Sequence, residues 1–395
     1  MCSLLHADEK VTVSKIRITV GKIEYLWNAD GVVRLDGEGG NEIIREYAVR
    51  SFMSIRPGMK LSEASLLDKC AGTRRRLLDS GYFYEADIAI VPPRTKPLER
   101  TVVVSLSTGF FKRFGGGNAW GKFGMANLGG HRQSLDIFFG YNKNGASYLF
   151  SNAGRSRFLA GGEFFYYGPG DLNGTLDYEK TENKFLVRAK AGFELFPDCT
   201  VVLEPTYEGF GFSSRGLFSL QPVFSLKKYI NSGYQSCADF SVRGFCYPAE
   251  GALKAEESAS VKYGISRYFQ LALKESAGAS FTDIPDNAGF DLYYAEDRSV
   301  RSGYSRRQLT ADDFAFASFE LRSDFLSFSV PPIIDATVQA FGFADIAKTK
   351  DDVLDAYGLG LRLLFKNPVF AYFTFSYGVN REGSGRFLFC GTAGF

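Results

Sequence analysis

Histidine is nearly absent from this chain, with only His6 and His131 among 395 residues. That leaves little material for imidazole acid–base or nucleophilic chemistry. His6 lies in the terminal segment, so a Ser-His-Asp arrangement would have to use His131, just after the turn-like Asn127-Leu128-Gly129-Gly130. The six cysteines (Cys2, Cys70, Cys199, Cys237, Cys246 and Cys390) contain no CxxC pair and no metal-ligand spacing. They read as small apolar fillers, with Cys237 and Cys246 as a pair that an oxidising compartment could join. An enzyme, a metal centre and a bound cofactor are therefore not expected. Charge of one sign is lacking too. The 46 basic and 44 acidic residues are spread along the chain for a net +2, without the concentrated basic face of a nucleic-acid binder. No stretch approaches 18 uninterrupted apolar residues, which excludes a transmembrane helix. It does not exclude a transmembrane barrel, whose lipid-facing and lumen-facing residues alternate and average to a hydropathy like that of a soluble protein. The opening MCSLLHADEK has neither the basic start nor the long apolar core of a secretory signal. Leu4-Leu5-His6-Ala7 could be the tail of one, and residues 1–13 are set apart as a terminal segment.

Aromatics and glycine are abundant instead. Thirty-eight Phe, 21 Tyr and 43 Gly suit strands, because aromatic rings fit pleated surfaces and glycine relieves bends and close approaches. Residues 14–110 nevertheless read as a separate α+β unit. IRITVGKIEYL (Ile16 to Leu26) reads as one strand, GVVRLDGEGG as a Gly-rich connection, and NEIIREYAVRSFM (Asn41 to Met53) as a helix with apolar spacing at Ile43, Ile44, Tyr47, Ala48 and Phe52. Pro57-Gly58 ends it. A second helix takes Ser62 as its N-cap, Leu66, Leu67, Cys70, Leu77 and Leu78 as its apolar side, and Gly81 as its C-terminal left-handed residue. Strands over Tyr84 to Val91 and Arg100 to Thr108 complete a β-α-α-β-β order, enough for a two-layer domain.

From residue 111 to 395 no helical pattern persists. Runs such as SLDIFFGYN, NKFLVRAKAGFELF, TVVLEPTYEGFGF, DATVQAFGFAD and FAYFTFSYGVN alternate with period two between Gly, Pro, Asn or Asp boundaries. With an opening strand at Trp120 to Leu128 and one near Phe290, the count is about sixteen, or roughly 18 residues per strand and turn, which suits membrane strands of about 9–11 residues. One face of these strands is aromatic and the other carries Lys, Glu, Arg and Asp. A soluble sandwich or propeller is the alternative, but no fixed-period blade motif recurs. GGGNAWGKFG has the glycines of a phosphate-cradling loop without a following helix, so it reads as a strand connection.

Several stretches resemble the POTRA-plus-barrel family of outer-membrane proteins (the BamA/TamA-like bacterial surface antigen family). SIRPGMKLSEASLLDKCAGTRRRLLDSGYFYEADIAI is similar to the POTRA pattern of a Pro/Gly turn, a helix and a Gly-Tyr-Phe before the next strand. The family also has an inward-folded loop with a Val-Arg-Gly-Phe/Tyr motif, then strands of the types SLELR and FxDxG. Here FDLYYAEDRSVRSGYSRRQLTADDFAFASFELRSDFL is followed by ATVQAFGFADIAK. By resemblance Arg301, Gly303 and Tyr304 belong to the loop motif, with Glu320 and Asp345 as the carboxylates on the two following strands. Ser302 is inserted, and Ala347 stands where the family has Gly. The chemistry is sensible in itself, since a guanidinium in a lumen needs acceptors and two carboxylates can take its fork of donors. The alternatives are an exposed loop Arg at position 301, or Arg243 in Val242-Arg243-Gly244-Phe245, which spells the motif but lies far from SFELR. The final strand, with Phe387, Phe389 and the terminal Phe395, resembles the family's C-terminal signal.

The resemblance implies an α+β POTRA domain on the periplasmic side, followed by an antiparallel all-β transmembrane barrel of about sixteen strands in an outer membrane. It implies that client proteins are inserted or translocated at a seam between the first strand, placed at Trp120 to Leu128, and the last, at Arg386 to Phe395. Partners would be outer-membrane lipid, and unfolded clients or periplasmic proteins at the POTRA sheet edge. The competing expectation is a passive channel or structural barrel that keeps the architecture without assembly activity.

Overall fold

Strand β1 (Lys10–Val20) turns back into β2 (Ile23–Asn28) through Gly21 and Lys22, and Gly21 has a φ of +60°. A side chain with a Cβ is strained in that conformation, so glycine sets the hairpin there. The expected single strand over Ile16 to Leu26 is thus two. The Gly-rich connection also yields a strand, β3 (Gly31–Arg34), because the Asn28 side chain accepts the N–H groups of Asp30 and Gly31 and closes a second tight turn. The computed structural model describes residues 10–35, 44–80, 82–93, 95–108, 112–117, 120–128, 131–140, 143–153, 156–168, 184–196, 198–210, 216–230, 236–283, 289–292, 300–304, 310–330, 334–367 and 372–392. The 1–9 part of the terminal segment, Gly81 and Phe395 lie outside these.

Helix α1 (Glu46–Ser51) is shorter than the 41–53 reading, and β4 (Lys60–Ser62) leads into α2 (Glu63–Asp79). Ser62 caps α2, its side chain accepting the Ser65 N–H at 3.2 Å. Strands β5 (Phe83–Val91) and β6 (Glu99–Thr108) complete a sheet in the order β3-β2-β1-β6-β5, with β4 on β1 and a parallel β1–β6 pair. A bulge between Val13 and Lys15 shifts the burial of β1 from odd to even positions, so that Val11, Val13, Ile16, Ile18 and Val20 all enter the core. Leu66 and Leu77 of α2 share that core, as does Phe83 at the start of β5. The order is therefore β-β-β-α-β-α-β-β, with the expected β-α-α-β-β inside it.

Sixteen further strands form a closed antiparallel sheet. They are β7 (Lys112–Gly117), β8 (Trp120–Leu128), β9 (Gln133–Gly140), β10 (Lys143–Ala153), β11 (Phe158–Tyr167), β12 (Lys184–Phe196), β13 (Cys199–Phe210), β14 (Gly216–Ile230), β15 (Ser236–Tyr247), β16 (Ala252–Gly264) and β17 (Phe269–Ser280), then, after two short strands, β20 (Phe314–Val330), β21 (Ile334–Thr349), β22 (Val353–Asn367), β23 (Tyr372–Val379) and β24 (Gly385–Thr392). The two short strands, β18 (Phe290–Asp291) and β19 (Thr310–Ala311), pair only with each other. The expected strand near Phe290 is therefore not part of the barrel. The first barrel strand is β7, not Trp120 to Leu128, and β8 pairs with β7 and β9. Three glycines in KRFGGG hid β7 in the sequence. Cys237 and Cys246 lie on one strand, nine residues apart, and are free thiols. An extended strand puts them roughly 30 Å apart, far beyond disulfide reach.

Period-two alternation sorts the wall. Along β20, Phe314, Phe316, Ser318, Glu320 and Arg322 are buried, while Phe319 and Leu321 are exposed outward. Exposed Ile137, Phe139, Phe164, Val187, Leu203 and Leu359 continue the apolar outer face. The lumen holds charge instead. Glu163, Arg188, Lys190, Glu204, Arg243 and Glu256 are linked across β11 to β16 by ion pairs of 2.6 to 3.9 Å.

Candidate functional site

Between β17 and β20, the described residues 289–292 and 300–304 lie inside the barrel. Phe290, Leu292, Val300 and Tyr304 are buried against inward side chains of the wall, among them Phe316, Phe343 and Leu354. This apolar packing fixes where the loop sits. Gly378 on β23 leaves room for its backbone, since a Cβ there would lie 1.8 Å from the Arg301 carbonyl oxygen. Gly303 donates its N–H to the Ser384 carbonyl at 3.4 Å, and a Cβ on it would come within 2.9 Å of the Ser384 Cβ.

Arg301 points at β20 and β21. Its main-chain N–H donates to Asp345 Oδ2 at 3.1 Å, Nε donates to Oδ2 at 2.8 Å, and Nη2 donates to Oδ1 at 2.7 Å. Nη1 donates to Glu320 Oε1 at 2.5 Å, and Nη2 also reaches Ser318 Oγ at 3.0 Å. The guanidinium carbon lies 3.8 Å from the centre of the Phe343 ring, which covers its face. Tyr304 donates to Asp355 Oδ1 at 2.9 Å and accepts the Asp355 N–H. The structure thus brings Arg301, Glu320 and Asp345 together, with Gly303 and Tyr304 holding the loop a few residues away. Ser302, the inserted residue, is fully buried, and Ala347 fills part of the apolar cluster under the loop.

Some partners escaped the sequence reading. Arg322 donates Nε to Glu320 Oε2 at 2.7 Å, and Arg362 comes within 3.5 Å of the same oxygen. Glu320 therefore faces three guanidinium groups. Glu320 and Arg322 lie two apart on one strand, so a strict period-two reading of FELR could have placed both inside. Arg362, on β22, offered no such local cue. Arg243 is not near the loop. It donates to Gln221 at 3.1 Å and pairs with Glu204 and Glu256 elsewhere in the lumen. Glu320 and Asp345 each accept several donors from Arg301 and its neighbours, so the arrangement can hold a segment in place. Among the described residues no His, Cys, Asp and Glu side chains gather as metal ligands.

The last strand, β24, pairs with the first of the barrel, β7. Their register has two residue pairs among the described residues, Cys390 with Gly117 and Gly391 with Gly116, against eight between β23 and β24. Phe387 is exposed on the outer face, and Phe389 packs on Phe375 with ring centres 4.7 Å apart.

The N-terminal unit contacts one end of the barrel. Arg76 of α2 pairs with Asp198 in the β12–β13 turn, Arg75 donates to the Ser236 carbonyl, and Asp79 accepts from Lys227 and Tyr229 at 2.9 and 2.6 Å. Across the unit, His131 shares a hydrogen bond with the Tyr47 hydroxyl, and Arg132 donates to Ser51 while stacking on Phe52.

No family model matches the sequence, and no curated protein matches it either. Solved structures do. CdiB from Escherichia coli aligns over 96% of this chain and 76% of its own at 13% identity, with a TM-score of 0.58. CdiB from Acinetobacter baumannii aligns over 97% and 74% at 12% identity, with a TM-score of 0.54. BamA from Haemophilus ducreyi, in a form lacking POTRA domains 1–3, aligns over 93% and 88% at 14% identity, with a TM-score of 0.47. At these identities the likeness to the two CdiB structures is one of fold.

Proposed function

We propose that this chain, whose fold is that of the POTRA-plus-barrel outer-membrane proteins, spans an outer membrane and inserts or translocates client polypeptides at its β7–β24 seam. The N-terminal unit is then a single POTRA domain on the periplasmic side. The outward apolar face meets lipid, and the charged lumen meets water.

The observation that carries this reading is the short closing register. Among the described residues two pairs, with glycine on one or both strands of each, join β24 to β7. Everywhere else on the described wall a strand finds a longer partner. A strand edge with unpaired N–H and C=O groups is a template for an incoming strand, so opening this junction offers a client the pairing that the barrel gives up. The Arg301 anchor supports the same reading. It ties the inward loop to β20 and β21, and Gly303 ties it to Ser384 just before β24, so the loop stays with the β24 side when the junction parts.

The test is insertion of an unfolded outer-membrane barrel into liposomes that contain the purified protein, measured beside ion conductance. The proposal expects client folding to accelerate over protein-free liposomes. Conductance without any acceleration would favour the passive channel.

A further inference from the structure

On β16 the side chains of Leu253, Val261 and Tyr263 are exposed outward, and so is Glu257 between them. On β17 Phe269 and Leu273 are exposed outward, and so is Glu275. Their strand neighbours Lys254, Ala272 and Ser276 are buried toward the lumen. Register sets Glu257 opposite Ala277 and Ala259 opposite Glu275, so the two carboxylates are diagonal neighbours on one face, about 7–8 Å apart at Cα. Other exposed outward charges, such as Lys228 and Lys348, lie next to strand ends. Neither Glu257 nor Glu275 has a hydrogen-bond or ion-pair partner among the described residues.

The wall beside them is hollowed. Ala259, Ala317 and Ala344 present small side chains at a groove of about 480 Å³, bordered by Leu273, Phe319 and Ile346, and Glu275 reaches its edge. Small residues on a membrane-facing surface let a second backbone approach closely, and polar groups there act as attachment points. A carboxylate in the middle of a lipid-facing strand face is unfavourable unless something meets it.

Resting on the reading of the barrel as membrane-spanning, we propose that the outer wall across β16, β17 and β20 is an intramembrane docking site for a segment of a different protein that presents a lysine or arginine at mid-bilayer. Lipid cannot supply the partner charge, because headgroups lie at the two interfaces and apolar residues flank both acids along their strands. A second copy of this chain does not supply it either. No outward basic side chain lies mid-strand among the described residues, and a two-fold contact would set carboxylates against carboxylates. The nearest strand of the site, β20, is four strands from β24 around the wall, so the partner and a client could be engaged together.

The test uses the full-length protein in phosphatidylcholine liposomes, titrated with a fluorescent Leu/Ala transmembrane peptide carrying one central Lys. The same peptide with a central Leu is the control. The expected result is at least tenfold tighter binding of the Lys peptide, reduced to the Leu level by Glu257→Gln with Glu275→Gln. Equal binding of the two peptides, or unchanged preference in the double variant, overturns the proposal. In the source membrane, a photocrosslinker replacing Ala277 should give an adduct with another protein that the double variant abolishes. An adduct between two copies of this chain would overturn it as well. Gel mobility of the unboiled protein from the same liposomes reports barrel insertion separately. Failure there would strike the membrane reading, whereas normal mobility without Lys preference strikes only the docking site.

Discussion

Arg301 holds Asp345 through three donors, its main-chain N–H, Nε and Nη2, at 3.1, 2.8 and 2.7 Å. Asp345 is nearly fully buried, so removing the guanidinium leaves a carboxylate without its main counterion. Breaking one side of a buried, hydrogen-bonded pair costs about 3–5 kcal/mol, more than the pair itself contributes. Arg301→Ala and Asp345→Asn should each lower the temperature at which the unboiled gel form is lost and expose the 289–304 loop to protease. The double variant should lose clearly less than the sum, because both changes act on one contact. Arg301→Lys should recover little, since an ammonium cannot form the fork.

Gly378 gives an independent handle on the same loop. A Cβ there would sit 1.8 Å from the Arg301 carbonyl, whereas at Gly342 the nearest atom, of the Leu359 side chain, is 3.6 Å away. Gly378→Ala should therefore loosen the loop much as Arg301→Ala does, and Gly342→Ala should not. Limited proteolysis of the two variants side by side checks this.

The N-terminal unit should be held by charge at its contact with the barrel. Asp79 accepts from both Lys227 and Tyr229, and Arg76 pairs with Asp198. Asp79→Ala together with Arg76→Ala should broaden the distance between spin labels on the unit and on the barrel rim, while the heat-modifiable mobility of the barrel stays as in the parent. An unchanged distance distribution would mean that packing around Arg132 and Phe52 is sufficient.

Burial pushes the Cys70 thiol up to about 11. At pH 8 it is therefore almost wholly in the unreactive thiol form, and alkylation should run at least about a hundredfold slower than for a free cysteine. Unfolding of the N-terminal unit should restore the ordinary rate, which mass spectrometry of the peptide containing Cys70 would show.

Much of this was legible because single charges stand out on apolar strands. Glu320 and Asp345 are conspicuous in FAFASFELR and AFGFAD, and the structure sets both against Arg301. What escaped the sequence has physical reasons. KRFGGG lacks the side chains that mark a strand, yet it is β7, so the seam was placed one strand too far along. Gly21 and Lys22 form a hairpin too tight to interrupt the apolar pattern, so β1 and β2 read as one. Phe290 does begin a strand, β18, but that strand pairs only with β19 and packs inside the barrel instead of joining its wall. Contacts such as Arg76 with Asp198 join residues 122 positions apart, and no local pattern signals them. Adjacent Glu256 and Glu257 did carry a cue, since on a strand one of two neighbours must face outward.

The central claim is that the β7–β24 junction opens, and a disulfide across it tests this most directly. Backbone pairing sets Gly117 opposite Cys390, and paired Cα atoms of antiparallel strands lie about 4.5–5.5 Å apart, within disulfide range. Gly117→Cys should therefore crosslink to the native Cys390 under oxidation. The crosslinked protein should lose client insertion in liposomes and regain it on reduction, with unboiled gel mobility unchanged throughout. Insertion at the full rate with the disulfide formed would contradict the account.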